Sequence, residues 1–533
     1  MRLFGGEQVK AFMERFNIDD DYPLQARLVS NAIEQAQHRV EGANFDIRKH
    51  LLEYDDVLNK QRNLIYSQRN RVFEKEDLTE DVNELLRQEV QRRVQSSDAA
   101  GERWRLLAWL EQIQPPSITP QGIFPSFTYK ILLDELNAAS HNLSEALLDL
   151  AARALDAENA HLHQGIQTLL DRAGEDLESQ REERLETLQN FLDSLAENAA
   201  QETRRPSAIL EELNQLLRLP LRLSPDQLRL LLDDPPALQE TLAAQTETLL
   251  TTLIAGRLLA TLELRLGESL GLNAGDLPAL TWEELRATLE ERCAQVLAAR
   301  RERLLGAEGQ IRRDLAAALE RLEEDNDQSR LHLLGLMSQG TRLIFDARTH
   351  QQKRLVFTRL HYTYLAADLL AEISTEDLAA QILEHLTAAQ EAQRRAFGET
   401  EYQRLRQSGQ LPPVLTPEAI GRRIQTQIYR QVLLGAMTEL WVDYLTRVEA
   451  LRVSIGLEAY AQRDPLVQYK SQASEMFQNL LADIRAAVIG RIFLYQPQVA
   501  VTPAVAASSA AATQAAPAAT PTSSGNKRKR HRR

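Results

Sequence analysis

The amino-acid sequence predicts an all-α protein. Glycine and proline together supply 41 of the 533 residues, roughly 8% where about 12% is usual, and aromatic residues only 5%. Long segments contain no proline, which would remove a helix hydrogen bond and clash with the preceding turn. Few turn formers, few aromatic residues and long proline-free segments together favour helices over sheets.

The first predicted element is a long amphipathic helix, because no proline occurs between Pro23 and Pro115. Apolar residues recur here every seven positions in two series, offset by four residues: Leu51, Leu58, Ile65, Val72 and Ile33, Val40, Ile47, Tyr54. Together they form one apolar stripe. At about 1.5 Å per residue, residues 26–73 would form a rod roughly 70 Å long. Such a rod needs partners along its length.

The middle of the chain predicts a helical bundle or coiled-coil assembly. From about residue 95 to 425, Leu, Ala, Glu, Arg and Gln dominate, and prolines divide the segment into helices. In one of these helices the charged residues lie outside a shared apolar face. That face consists of Ile311, Leu315, Leu319 and Leu322.

A pair of helices is predicted next, over residues 421–457 and from Pro465 to about Leu494. The segment YAQRDP at 460–465 interrupts the pattern. Asp464 suits an N-cap, because its carboxylate can accept from free amides of the first turn, and Pro465 suits the first helical position. The two helices should be antiparallel neighbours joined by a short tip.

The C-terminal segment predicts a disordered linker that ends in a basic cluster. Residues 498–525 are mostly Ala, Pro, Thr, Ser, Val and Gln, and lack the large apolar side chains that offset ordering entropy. Six basic residues follow: Lys527, Arg528, Lys529, Arg530, Arg532 and Arg533. With a formal charge of −14 for the whole chain, the remainder carries −20. That charge makes nucleic acid an unfavourable partner, except through the tail.

The sequence predicts no catalytic residue and no metal site. There is no Gly-Lys dipeptide, so a Walker-type phosphate loop is excluded. The single cysteine, Cys293, excludes an internal disulfide and a multi-cysteine zinc module. No run of 18 or more apolar residues occurs, so the chain is not expected to span a membrane or to be secreted.

Two segments resemble the C-terminal half of the SecA family of bacterial preprotein translocase motors. The first contains NFDIRKHLLEYDDVLNKQR at 44–62 and IYSQR at 65–69, and it is similar to the long helix of the family's helical scaffold domain. The second segment is similar to that domain's two-helix finger, and it contains Trp441, Leu451-Arg452, YAQRDP at 460–465, Tyr469-Lys470 and Met476-Phe477. The resemblance is close over residues 1–75 and moderate over 425–490.

The resemblance implies five regions. They are the end of a second nucleotide-binding domain (1–22), a long helical scaffold (23–95), an expanded helical wing (96–425), a two-helix finger of the scaffold (426–495), and a disordered linker with a basic tail (496–533). The fold expected is therefore a long scaffold helix packed with a C-terminal finger, with the wing and tail added. The wing is several-fold longer than the family pattern implies.

By the same resemblance, the chain is the scaffold and wing part of an ATP-driven translocase. Such motors move unfolded preproteins through a SecY-type channel. ATP and Mg²⁺ are expected only on a separate nucleotide-binding half, so this chain should need no cofactor and should not hydrolyse ATP alone. The expected location is cytoplasmic, peripheral on the inner face of the plasma membrane.

The resemblance also suggests roles for individual residues. Tyr460 at the finger tip would contact the moving polypeptide, and Arg48, Asp55 and Trp441 would couple the scaffold to the finger or to the motor domain. The basic tail would contact anionic lipid. Each of these residues also has a purely structural interpretation. Tyr460 would be a hinge tyrosine, Arg48 and Asp55 a surface charge pair, and Trp441 a side chain packed on the rod. The basic tail would be solvated without a partner.

The sequence departs from the family pattern in the finger. Tyr444 stands where the family usually has histidine, and Glu458 places negative charge beside the tip. Three explanations for the missing nucleotide-binding half stay open: a split gene, a truncated reading frame, and a free scaffold with a new role. The rival functions are a helical coiled-coil adaptor or structural protein without motor activity, and a nucleic-acid-associated protein acting through its tail.

Overall fold

The architecture comes from a computed structural model. It describes residues 27–99, 101–139, 142–197, 204–273, 275, 280–346, 348, 350–409, 415–455 and 464–495. The predictions made for residues 1–22, for Tyr460 and for the tail at 496–533 lie outside these described residues.

The described residues form fifteen α-helices and two β-hairpins, which confirms the all-α prediction. The first helices are α1 (Arg27–Glu74), α2 (Thr79–Ala99), α3 (Arg103–Ile113), α4 (Phe127–Ala138) and α5 (Leu143–Glu197). Next come α6 (Pro206–Leu217), α7 (Pro225–Asp233), a 3₁₀ turn (Pro235–Leu238), α8 (Gln239–Leu266), α9 (Trp282–Leu305) and α10 (Gln310–Leu319). The last are α11 (Asp327–Ser338), α12 (Tyr362–Leu369), α13 (Thr375–Gln407), α14 (Pro417–Ser454) and α15 (Pro465–Ile492).

The two hairpins are the part of the fold that the sequence analysis did not predict. Strands β1 (Ser117–Thr119) and β2 (Gly122–Phe124) pair antiparallel, as do β3 (Gln339–Asp346) and β4 (Gln351–Thr358). The expectation that residues between prolines are helical is therefore wrong for residues 339–358. Short runs of β-branched and aromatic residues there favour extended backbone, and no proline marks the change.

Helix α1 is the predicted rod, 48 residues long and about 72 Å in length. Its C-terminal half packs in the core: Ile65 is fully buried, Val72 is 6% exposed, and Leu58 is partly buried. The side chains that the structure describes between residues 34 and 52 are all exposed. The described part of the N-terminal half thus presents its side chains to solvent.

The largest core joins the C-terminal half of α1 to α2, α3, α13, α14 and α15. Helix α14 packs between α13 and α15, and the pairing of residues along these contacts shows that it runs antiparallel to both. The crossing with α13 is close enough to require glycine, because a Cβ on Gly398 would lie 2.2 Å from the carbonyl oxygen of Pro417. Helices α3 and α13 thus share the core of the rod, although both lie within residues 96–425.

The predicted start of the last helix is confirmed. The Asp464 carboxylate accepts a hydrogen bond from the amide of Leu466 at 2.9 Å, and Pro465 is the first helical residue. The pair α14 and α15 is antiparallel, since Arg491 binds Glu439 at 3.0 Å and Tyr495 donates to Gln431 at 2.6 Å. This pair is called the finger below.

The rest of the chain forms three smaller cores along α5, a helix of 55 residues. One core uses Leu147 to Leu155 of α5 with α10 to α12, a second uses Ile166 and Leu170 with α8 and α9, and a third uses Leu177 to Leu195 with α6 to α8. Ile311 and Leu315 are buried as expected, whereas Leu322 lies beyond the end of α10. Helix α5 is therefore the axis along which these three cores are arranged.

We expect Ile65→Ala to lower the free energy of unfolding of the core around α1 by about 2–5 kcal/mol, because it removes a fully buried side chain and leaves a cavity. The matched control is Leu64→Ala, the neighbouring residue on the same helix, which is 44% exposed. Its cost should stay within about 0.5 kcal/mol. Urea unfolding followed by circular dichroism gives both values, and equal costs would show that α1 is not packed as described.

Candidate functional site

The candidate site is the junction where the finger packs on the C-terminal half of α1. Both finger helices contact the rod, and they contact each other along their length. The junction contains aromatic side chains from all three helices. It is therefore the place where the finger and the rod are held together.

A buried polar link joins the three helices. The Tyr444 hydroxyl of α14 donates to Oε1 of Gln61 in α1 at 2.6 Å, and Gln61 Nε2 donates to the carbonyl oxygen of Ala473 in α15 at 3.2 Å. Tyr444 is 2% exposed and Gln61 is 9% exposed. Because a buried polar group without a partner is costly, this link fixes the register of the finger on the rod.

The Tyr444 phenol keeps its proton, so its hydroxyl can donate a hydrogen bond. Burial raises the pKa of this phenol to about 12. The electrostatic interaction with Tyr469 also raises the pKa, whereas the hydrogen bond to Gln61 lowers it. The ring stacks on Trp441 at 5.3 Å between centroids and meets Phe477 at 5.9 Å. A tyrosine therefore holds the link as a neutral donor at physiological pH.

Two further contacts between the finger and the rod lie closer to the tip of the finger. The rings of Tyr54 and Tyr469 meet edge to face, with centroids 4.7 Å apart. The Asp55 carboxylate lies 3.7 Å from Arg452, which also lies 3.6 Å from Glu449. Asp55 and Arg452 are 53% and 35% exposed, so their ion pair contributes about 0–1 kcal/mol. The pair therefore helps to orient the finger on the rod and adds little to stability.

Arg430 of α14 caps the C-terminal end of the rod, a role that the sequence analysis missed. Its guanidinium donates to the carbonyl oxygens of Val72 at 3.2 Å and Lys75 at 2.9 Å. These carbonyls lie at the negative end of the helix dipole, where a cation is favourable. An arginine among apolar residues of a helix gives no signal of so distant a partner, which lies more than 350 residues away.

The structure separates the predicted site residues. Trp441 is 4% exposed and lies in the core of the junction, and Asp55 lies beside Arg452 of the finger. Arg48 is exposed, and no ion partner for it is found among the described residues. The remaining predicted residues lie outside the described part of the chain: Tyr460, Lys527, Arg528, Lys529, Arg530, Arg532 and Arg533.

The rod also carries an exposed apolar stripe, which we call the outer stripe. It consists of Phe45, Leu52, Tyr66 and Phe73, with exposed fractions of 67%, 68%, 46% and 58%. Their spacing in multiples of seven places them on one side of α1, about 100° around the helix from the series that contains Ile65. Arg48 lies beside this stripe. Such a row of exposed apolar side chains is typical of a binding surface.

The junction is built from packed aromatic rings and buried hydrogen bonds. Among the described residues, no group of three or more His, Cys, Asp and Glu side chains is placed to hold a metal ion. No helix in the described ranges is long and apolar enough to cross a membrane. The arrangement consists of a stiff helix, the finger held to it by buried contacts, and the exposed outer stripe.

Comparisons with known proteins agree with this architecture. The family model described as SecA Wing and Scaffold domain matches residues 23–496. The chain is similar to protein translocase subunit SecA of Pelotomaculum thermopropionicum, with 39% identity over 160 residues, which is 30% of this chain and 17% of that protein.

Two further SecA subunits match shorter segments at higher identity. The subunit of Thermodesulfovibrio yellowstonii is 56% identical over 90 residues, which is 17% of this chain and 10% of that protein. The subunit of Caldicellulosiruptor saccharolyticus is 54% identical over 86 residues, 16% and 10% of the two chains. The matches thus span less than a fifth of the length of these relatives. No solved structure matches the chain.

We expect Tyr444→Phe to lower the free energy of unfolding by about 1–3 kcal/mol, because it leaves the buried Gln61 oxygen without its donor. Gln61→Leu in the same background should restore part of the loss, since it removes the unsatisfied group. A double-mutant cycle measured by urea unfolding gives the coupling between the two positions. Additive effects of the two substitutions would contradict the link.

Proposed function

The chain belongs to the SecA wing and scaffold family, and from this premise we propose that it is the scaffold and wing part of a protein translocase. In this proposal it acts with a nucleotide-binding half that binds ATP and Mg²⁺. Together they would move unfolded preproteins through a SecY-type channel. The chain itself would work on the cytoplasmic face of the plasma membrane, as a peripheral component.

The observation that carries the proposal is that the rod is held on one side and open on another. The finger packs on residues 54–72 through the buried link of Gln61, Tyr444 and Ala473. In the N-terminal half of the rod, the described side chains are exposed, and they include Phe45 and Leu52. A helix resists bending and extension through its hydrogen bonds, so force applied to the exposed half would reach the finger.

We assign the outer stripe to the nucleotide-binding half. Phe45 and Leu52 are each about two thirds exposed, and burying such side chains contributes about 1.5–3 kcal/mol each. Arg48 beside them would pair with a carboxylate of the motor, whereas Asp55 already lies beside Arg452 of the finger. In this proposal Asp55 would couple the rod to the finger and Arg48 would couple it to the motor, the two partners that the sequence predicted for these residues.

The remaining roles follow the family resemblance. Tyr460, beyond the end of α14, would contact the moving polypeptide with its ring, which binds many sequences because it needs no specific partner. The six basic residues from Lys527 to Arg533 would contact anionic lipid, at about 1 kcal/mol for each basic residue near the surface.

The outer stripe also favours a second candidate function. Apolar residues at seven-residue spacing are typical of a coiled-coil seam, so a helical adaptor without motor activity would bind its partner through the same residues. The two candidates differ in the partner, since only a translocase scaffold would change the ATPase rate of a nucleotide-binding half.

The test mixes the purified chain with the separately expressed nucleotide-binding half of SecA from Thermodesulfovibrio yellowstonii. We expect binding and a changed ATPase rate of that half. The variant Phe45→Glu/Leu52→Glu should raise the Kd about tenfold or more, because it places charges in the apolar contact. Leu264→Glu on α8, where the leucine is 85% exposed, should bind like the wild type.

Two outcomes would contradict the proposal. One is that the nucleotide-binding half does not bind, or binds without any change in ATPase rate, which would favour the adaptor. The other is that the double variant and Leu264→Glu have equal affinities, which would remove the outer stripe from the interface. Circular dichroism of each variant shows whether its helices are intact.

A further inference from the structure

The hairpin of β3 and β4 exposes an unusual amount of apolar surface. Leu343, Phe345 and Val356 are 66%, 64% and 57% exposed, and three further large apolar residues of the hairpin are also exposed: Ile344, Leu355 and Phe357. Exposed apolar residues are ordinary when they are scattered, but six of them are concentrated on this one short ribbon, and the three most exposed share one face. Such a patch marks a binding surface.

The register divides these residues between two faces. On the front face Thr341 pairs with Val356, Leu343 with Arg354, and Phe345 with Gln352. On the back face the same register places Arg342 opposite Leu355, Ile344 opposite Lys353 and Gly340 opposite Phe357, and the guanidinium carbon of Arg342 lies 5.9 Å from the centre of the Phe357 ring. The front face is the more exposed one, and its apolar side chains lie mainly on β3.

The hairpin is also open at its edges. Strands β3 and β4 pair only with each other, and no third strand joins them among the described residues. Each strand therefore has an outer row of backbone N–H and C=O groups outside the ladder, which can template a further strand. A two-stranded ribbon is only marginally stable by itself, so a third strand would stabilise it.

The charge of the hairpin indicates which kind of partner it would bind. Residues 339–358 contain four basic side chains (Arg342, Arg348, Lys353 and Arg354) and one acidic side chain (Asp346), a formal charge of +3 in a chain of −14. A partner with acidic residues is therefore favoured. A second copy of the hairpin is disfavoured, because it would bring like charges together. Burial in a bilayer is disfavoured, because the open strand edges would lack hydrogen-bond partners there.

We propose that the outer edge of β3 binds an extended polypeptide segment, in which apolar residues alternate with acidic ones, by strand addition. The apolar residues of that segment would lie on the front face beside Leu343 and Phe345. Its acidic residues would lie on the back face, beside Arg342. Backbone hydrogen bonds would supply affinity and the alternation would supply selectivity. This inference rests on the hairpin alone and is independent of the translocase proposal.

The experiment uses the full chain and a fluorescein-labelled peptide of alternating valine and glutamate, with anisotropy as the readout. We expect saturable binding. A peptide N-methylated at alternate residues should lose it, because it can no longer donate to the strand. Leu343→Asp/Phe345→Asp should raise the Kd about tenfold or more. Ile118→Asp in β1, a matched hairpin residue that is 88% exposed, should leave the Kd unchanged.

Several results would overturn the proposal. They are equal binding of the N-methylated peptide, equal affinity of the double variant, and equal binding of a peptide that alternates valine with lysine. Loss of binding to phosphatidylglycerol vesicles in the double variant, without any peptide binding by the wild type, would assign the hairpin to lipid instead. Circular dichroism and melting temperature of the variants establish that the rest of the chain is folded.

Discussion

The structure depends on burial of one side of α1 by the finger. A helix of 48 residues needs packing contacts to keep one orientation in a protein, and the described contacts lie in its C-terminal half. Ile65 and Val72 supply the apolar contact, and the hydrogen bonds among Gln61, Tyr444 and Ala473 fix the register. Arg430 closes the end of the helix. These contacts hold the C-terminal half of the rod, and Phe45 and Leu52 of the other half are exposed.

Helix α1 could be predicted from the sequence, because its apolar pattern depends only on residues close together in the chain. Its seven-residue apolar series predicted a helix over 26–73, and the structure has Arg27–Glu74. Asp464 and Pro465 predicted the start of α15 for a similarly local reason. The family resemblance added the finger, which periodicity alone could not place against the rod.

The parts that could not be predicted depend on distant contacts. Gln61 and Tyr444 are 383 residues apart, and neither residue type signals a buried hydrogen bond. Prolines, which indicate helix boundaries elsewhere in the chain, give no signal of the hairpin of β3 and β4, because none lies within residues 339–358. The wing was expected to be helical, but its three cores along α5 follow from packing between helices far apart in sequence.

The most direct test of the account is amide hydrogen exchange along α1 in the intact chain. If the finger buries the rod as described, amides of residues 57–74 should exchange at least about tenfold more slowly than those of residues 34–52. Replacing Trp441 with alanine should reduce that difference, because Trp441 is buried in the junction. Uniform exchange along the whole helix, unchanged in the variant, would show that the finger does not hold the rod.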